Sequence, residues 1–325
     1  MSIRLFLRLA VHTQMLPVLE AGEETLVGGQ AVMEGVMMRA PHSYCVAVRR
    51  PAGDMIKDEM PVPRVSEKYP AFKYPILRGV GTLGQAMWLG IKALRFSANA
   101  ALENEKAGEK KQELSPWLMT LNLAFSIAFF IFLYKFVPLL LTSALGKWFP
   151  AVEGRIVFNL TDGLIRIAIF LTFLFLISLW KDIRRVFEYH GAEHKVVFNY
   201  ESGRPVTVEN AQSFTTFHPR CGTSFLLVVM VIAIFVYALV PYDSFLMKFV
   251  ARVALLPLIA GLSYELIRFA AKHRGGLMAT LTAPGLWLQR ITTQPPSNDQ
   301  VAVAIHALEG AMALENAQGG QAVIA

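Results

Sequence analysis

The sequence predicts a mainly α, polytopic membrane helical bundle of about four spans, with a small β-containing N-terminal unit and a C-terminal amphipathic helix. Three observations carry this. Only 17% of the 325 residues are charged and 54% are hydrophobic, whereas a soluble domain carries about 25% charged residues; the mean hydropathy is +0.44. From Leu118 onward, uncharged apolar runs approach the ~20 residues that one crossing of a bilayer requires. The basic residues behind the net charge of +7 sit beside those runs, as the flanks of cytoplasmic loops do. The charge therefore reads as membrane topology rather than as a nucleic-acid surface.

Residues 1–24 form a leader, with two arginines among apolar residues in Met1–Val11 and no cleavage site. It reads as a poorly ordered segment or a short surface helix, with Met15 as an alternative start. Residues 25–75 read as a small β-rich cytoplasmic unit. In it Tyr44–Val48 and Asp54–Lys57 flank the turn signal Pro51-Ala-Gly53 as the arms of a hairpin. Over 76–102 the period becomes helical: Leu77, Val80, Leu83, Met87, Ile91 and Leu94 share one face. Gly79, Gly81, Gly84 and Gly90 permit close backbone approach. Arg78, Lys92 and Arg95 argue for a helix lying on the membrane or against the bundle rather than through it. Glu103–Glu113 is a charged, solvated linker.

Residues 103–274 hold the bundle. Its spans are Leu118–Tyr134 continuing past Lys135 to Leu145, Leu164–Trp180, Thr223–Pro241, and Phe249–Ala270. Arg166 is expected to snorkel near one end of the second, and the fourth is interrupted by Arg252, Pro257 and Glu265. The loop 181–222 contains Lys181, Arg184, Arg185, Lys195, Arg204 and Arg220, whereas the opposite loops hold Lys147, Arg155 and Lys248. Positive-inside logic puts that loop and both termini in the cytoplasm. Residues 275–325 comprise a partly buried connector carrying Pro284-Gly-Leu-Trp287, an amphipathic helix, and a disordered tail beyond Gln318. Ser297 or Asn298 caps the helix, which runs through Val301, Ile305 and Leu308. With only Cys45 and Cys221 the chain is no disulfide scaffold, which suits a reducing compartment.

Chemistry is expected from three blocks. In His190-Gly-Ala-Glu193-His194 a helix places both imidazoles one turn apart with Glu193 beside them. This is the H-x-x-E-H arrangement of inverzincin metallopeptidases, in which the Glu acts as general base; the plain alternative is a polar cluster at headgroup level. His218-Pro-Arg-Cys221 sets an imidazole and a thiol three positions apart, both good soft-metal ligands, with Arg220 placed to lower the thiol pKa. Its plain alternative is a Pro-started helix terminus with a small buried cysteine. Ser263-Tyr264-Glu265-Leu-Ile-Arg268 puts an acid in apolar surroundings. Glu265 is either the third ligand of the inverzincin pattern or an i,i+3 partner of Arg268, with Tyr264 as a neighbouring candidate.

Helix direction brings these blocks together. The second and fourth spans run inward and the third outward, so His190/His194, His218/Cys221 and Glu265 emerge at one face, as the groups of one pocket do. A further block, Gly28–Pro41, mixes glycines with Glu34 and Arg39, which either pair with each other or reach that site. It has no Gly-Lys-Ser/Thr ending and is no phosphate loop.

Together, Gly28-Gly-Gln-Ala-Val-Met-Glu-Gly-Val-Met-Met-Arg39, His190-Gly-Ala-Glu-His-Lys195, His218-Pro-Arg-Cys-Gly-Thr-Ser-Phe225 and Pro284-Gly-Leu-Trp-Leu-Gln289 resemble the YqhQ-like family of bacterial membrane proteins. The resemblance runs from about Val27 to the last helix; only the leader departs from it. It implies a bacterial inner-membrane location and, loosely, a metal-dependent enzyme, and it brings no catalytic residue set. The expected function is a metal-dependent hydrolase with a divalent metal, zinc by ligand type, on His190 and His194. Glu265, or Cys221 with His218, completes the shell, and Glu193 is the general base. The expected partners are membrane lipid and a membrane-proximal peptide or lipid-linked substrate. A non-enzymatic metal- or ligand-sensing scaffold is the second expectation. A small-solute or metal transporter is the third, because the polar groups gather at one face rather than at mid-membrane.

Overall fold

The computed structural model describes residues 27–102, 116–218, 221–241, 244–272 and 276–317. The leader with Met15, the linker Glu103–Glu113, Arg220 and the tail beyond Gln318 lie outside the described residues. The chain is mainly helical with a small N-terminal antiparallel sheet. Strands β1 (Gly28–Val32), β2 (Gly35–Arg39), β3 (Ser43–Arg49) and β4 (Met55–Pro61) form a meander in sequence order. Val32 pairs with Gly35 and Arg49 with Met55, so Met33-Glu34 makes the first turn and residues 50–54 the third.

The helices follow. α1 (Val65–Lys68) is a single turn, and α2 (Leu77–Leu102) is long. α3 (Pro116–Ile131) passes through a π-helical turn (Phe132–Phe136) into α4 (Val137–Trp148), and α5 (Arg155–Ser178) returns beside it. Then come α6 (Lys181–Glu201), α7 (Val208–Gln212), α8 (Gly222–Ala238), α9 (Phe245–Ala254), α10 (Leu256–Lys272), α11 (Gly276–Thr292) and α12 (Asn298–Ala317).

The sheet is buried on both faces, and the period-two alternation of its strands sorts the two cores. Met38, Cys45 and Ala47 face Ala192 and Val196 of α6 and Ala304, Ala307 and Leu308 of α12. Val32, Met37, Tyr44, Val46 and Val48 face Leu89 and Ala93 of α2. The apolar face of α2 picked out by its helical period is the outer one: Leu77, Met87, Ile91 and Leu94 are exposed. Gly79 is needed where α2 crosses α10, because a Cβ there would lie 2.7 Å from Cβ of Tyr264.

Several expectations change here. Thr120–Trp148 and Arg155–Ser178 are long and apolar enough to cross a membrane, and α9 with α10 makes a third such unit if the pair, bent by 49°, is one span. Two or three candidate spans thus stand where about four were expected. The apolar run of the expected third span is helical only over Gly222–Ala238, 17 residues, or about 25 Å, short of a ~30 Å hydrocarbon core. The α9–α10 break precedes Pro257, whose ring and missing N–H disrupt the turn before it. Arg166 does not snorkel: it is 2% exposed and paired with Asp162. The connector is the helix α11, with Pro284 inside it. The last helix buries the expected Val301, Ile305 and Leu308 and leaves Glu309, Ala313 and Asn316 exposed. Its buried face is wider than expected, because its small residues let α6 and the sheet close on it from different sides: Val303, Ala304 and Ala311 are also fully buried.

A clamp ties the sheet to the end of α12. Glu315, 1% exposed, accepts the backbone N–H of His42 at 2.8 Å and meets its ring Nδ1 at 3.1 Å, while Nε2 lies 3.0 Å from the half-exposed Glu67. Glu67 first, and Glu315 against the opposing effect of burial, raise the His42 pKa above its ordinary 6.5. The folded-state value is the higher one, so this stabilisation is fully present below pH 6.5 and fades as pH rises through the raised value. Exposure keeps it small, below about 1 kcal/mol. Thermal midpoints of wild type and His42→Gln should therefore converge as pH rises from 6 to 8.

Candidate metal centre

α6 leaves α5 through a break at Leu179-Trp180 and runs under the sheet, which turns His190, Glu193 and His194 inward. Gly191 is required between them: a Cβ there would overlap the carbonyl oxygen of Gln294, whose own N–H bonds Phe187 O at 2.9 Å. The segment joining α11 to α12 thereby lies directly against α6. It presents the carbonyl of Thr292 to Nδ1 of His190 at 2.7 Å. The loop after α7 does the same for His194, whose Nδ1 bonds the carbonyl of Thr216. Lys195 holds that loop in place by donating to the carbonyls of Gln212, at 2.8 Å, and Phe214.

With both Nδ1 atoms donating to carbonyls, each imidazole is fixed in the tautomer that leaves Nε2 with a free lone pair. This is the outer-shell arrangement typical of metal-ligating histidines. The third donor is Cys221, the N-cap of α8. Its Sγ lies 3.2 Å from Nε2 of His190 and 3.1 Å from the Thr223 hydroxyl. Donor atoms of His190, His194 and Cys221 all fall within 4.8 Å of one another. Nε2 of His194 is buried and faces Cys221 without a hydrogen bond of normal geometry. Burial lowers the His194 pKa. Burial alone would raise the Cys221 thiol, yet His194 and Thr223 bring it below its ordinary value.

Glu193 is buried beside this triad, and burial pushes its pKa up to about 7 against the pull of His190. The Gly29 amide donates to it, and only glycine fits there, since a Cβ would lie 2.8 Å from Cγ of Glu193. The Gly-Gly of the first block thus shapes the floor of the site. Gln289 of the Pro284–Gln289 block shapes its rim. Its side chain accepts from His218 N and donates to His218 O, both at 2.7 Å, and also reaches the Ser224 hydroxyl at 3.0 Å.

The other candidates are placed as follows. His218 is buried, its Nε2 lies 3.4 Å from Glu201, and burial pushes its pKa down to about 4; its ring stands 5.6 Å from that of His194, outside the donor triad. Glu265 is held by Arg78 of α2, with Nε to Oε1 at 2.6 Å, and by the Ile76 amide, so it is no member of the triad; Arg268 acts on it more weakly, through its charge. Glu34 does not pair with Arg39. It binds Arg185, and the Tyr189 hydroxyl at 3.2 Å, which pins the first turn of the sheet to α6. Arg39 bonds Gln85 and, with Tyr264, lines the cavity above Glu193, His194 and Cys221. Cys45 is structural: burial, then Glu59, pushes its thiol up to about 12.

A family profile described as "Protein of unknown function (DUF1385)" matches residues 74–314. "Uncharacterized protein YqhQ" of Bacillus subtilis (strain 168) is 36% identical over 298 residues, covering 89% of this chain and 92% of that relative. The chain belongs to this family. No solved structure matches it. The DUF1385 match takes in α2 through most of α12 and so includes the whole triad, Glu193 and Gln289. The carbonyls of Thr216 and Thr292 leave no side-chain signal in the sequence; for Gln289 the signal is its place at the end of the Pro284–Gln289 block.

Proposed function

We propose that this DUF1385 protein is an inner-membrane, metal-dependent hydrolase working at the cytoplasmic face on an anionic, lipid-linked substrate. His190 Nε2, His194 Nε2 and Cys221 Sγ would hold a divalent metal, and two nitrogens with one thiolate favour zinc with an open fourth position. The observation that carries this is the buried Nε2 of His194, which faces Cys221 without a hydrogen bond of normal geometry although its Nδ1 is locked on Thr216. A lone pair buried that way is costly unless something binds it. A bound ion of this kind supplies Lewis acidity toward a carbonyl or phosphoryl oxygen. Glu193, titrating near neutrality, takes and returns the proton at its carboxylate, while the Gly29 amide fixes its orientation.

The cavity above the triad has a volume of 720 Å³, within the range of small-molecule sites. Arg39, Arg64, Lys73 and Arg268 line it, and Glu193 is the acid among its lining residues, which supports a negatively charged substrate. Its wall includes α2, whose outer residues Met87, Trp88, Ile91 and Leu94 are exposed. Such a helix suits the membrane interface. The basic residues of 181–222 support the cytoplasmic side.

Elemental analysis of protein purified from metal-replete cells tests the reading. Wild type is expected to carry about one zinc per chain, and His194→Ala or Cys221→Ala well under half of that. Glu193→Gln is expected to keep the metal. A metal-free wild type overturns the proposal. Full cellular function in Glu193→Gln with metal bound would favour the sensing scaffold over the enzyme.

A further inference from the structure

A polar cluster that the metal centre does not use lies inside the bundle. The charged groups of Lys135, Arg166 and Arg252 surround the ring of Tyr237, at 5.3, 5.2 and 5.3 Å from its centroid. Asp162 pairs with Arg166 and lies 3.4 Å from Arg252. The three basic side chains and Asp162 are all buried. Among the described residues, one carboxylate thus faces three basic groups, and buried charge without a partner is costly. The cluster is also incompletely paired: Nη1 of Arg166, Nε of Arg252 and Oδ1 of Asp162 have no partner.

Both helix irregularities of the bundle meet here. The π-turn Phe132–Phe136 carries Lys135, and its Tyr134 carbonyl accepts from Nε of Arg166 at 3.1 Å. At the α9–α10 bend, the Arg252 carbonyl accepts the Tyr237 hydroxyl at 2.9 Å, which in turn accepts from Lys135 at 3.0 Å. Interrupted helices beside intramembrane charge are how many membrane proteins build solute sites. A cavity of 190 Å³ reaches Arg252 from the end of the bundle where α5 begins; Arg155, Lys248 and Arg252 line it against a single acid, Glu153, among its lining residues. That end is remote from the metal centre, since α5 alone is 24 residues long, or about 36 Å.

We propose that this cluster binds a phosphate-type oxyanion, received through that cavity. Guanidinium forks match tetrahedral oxyanions bidentately, and cations in the cavity wall draw anions inward. The expectation that polar groups gather at one face only is therefore replaced: a second site sits at mid-bundle. The phosphate group belongs either to free orthophosphate or to a lipid headgroup. Asp162 competes with it for the guanidinium groups.

The test uses the full chain in an uncharged detergent, with equilibrium dialysis of radiolabelled orthophosphate at fixed chloride, and a parallel titration with phosphatidylglycerol micelles read by the thermal midpoint. Saturable orthophosphate binding is expected, weakened at least about tenfold by Arg252→Gln and tightened by Asp162→Asn. If only phosphatidylglycerol raises the midpoint, and Arg252→Gln removes that shift, the phosphate is a headgroup's. Binding of neither, or binding that Arg252→Gln leaves unchanged, overturns the proposal. If Arg252→Gln does not fold, Arg252→Lys, which keeps the charge and loses the fork, takes its place with the same expected weakening.

Discussion

Glu193→Gln is expected to reduce turnover by about 10²–10⁴-fold, the usual contribution of a positioned general base, with the zinc content unchanged. Glutamine keeps the shape of the side chain, and its carbonyl oxygen still accepts the Gly29 amide that now holds Glu193. What it loses is the proton. Burial pushes that carboxyl up to about 7, toward the range in which a general base works, and the variant has no ionisable group there. Lipid mass spectrometry of membranes from cells carrying each version reads the outcome: the anionic substrate should accumulate with Glu193→Gln and not with wild type. An unchanged lipid profile with the metal retained removes the hydrolase reading and leaves the triad as a binding site.

Gly191→Ala is expected to destabilise the sheet unit by about 3 kcal/mol, combining overpacking with a displaced backbone hydrogen bond. The obstacle is backbone, the carbonyl of Gln294, and the same residue's N–H is tied to Phe187. The α11–α12 segment therefore cannot retreat without breaking that bond and moving the Thr292 carbonyl off His190. Stability and metal content should fall together. Gly84→Ala, where an added Cβ meets nothing within 4 Å, is the control and should change neither. Thermal unfolding and elemental analysis of the two variants read both effects.

Legibility in the sequence followed the range of the interaction. The His190/His194 spacing, the β-hairpin around Pro51-Ala-Gly53 and the helix over 76–102 are local patterns, and each has its counterpart in the structure. His190, His194 and Cys221 do come together, though the expectation that helix direction gathers the polar blocks also included His218 and Glu265, which stand outside the triad. Which acid or thiol stood nearest did not follow, because Glu265 meets Arg78 from a helix some 187 positions away. Apolar run length overcounted the spans: it does not register that α8 stops short or that α9 and α10 bend. It found the buried Val301, Ile305 and Leu308 of α12 but not how far burial extends around that helix, since an alanine-rich helix buried on several sides has the same apolar positions as one buried on a single side.

The sheet unit is discontinuous in the chain. Its strands end at Pro61, the helix bearing the histidines begins at Lys181, and the helix that closes over both begins at Asn298, with the apolar helices in between. During synthesis the apolar helices leave the ribosome before α12 does. The strands and α6 must then wait, each with one face uncovered, until the last helix emerges. On the proposed reading, metal would enter the triad only after α12 has closed over it. A chain cut before Asn298 would keep its apolar helices yet carry an open half-core, with Ala192, Val196, Met38 and Cys45 uncovered on that side.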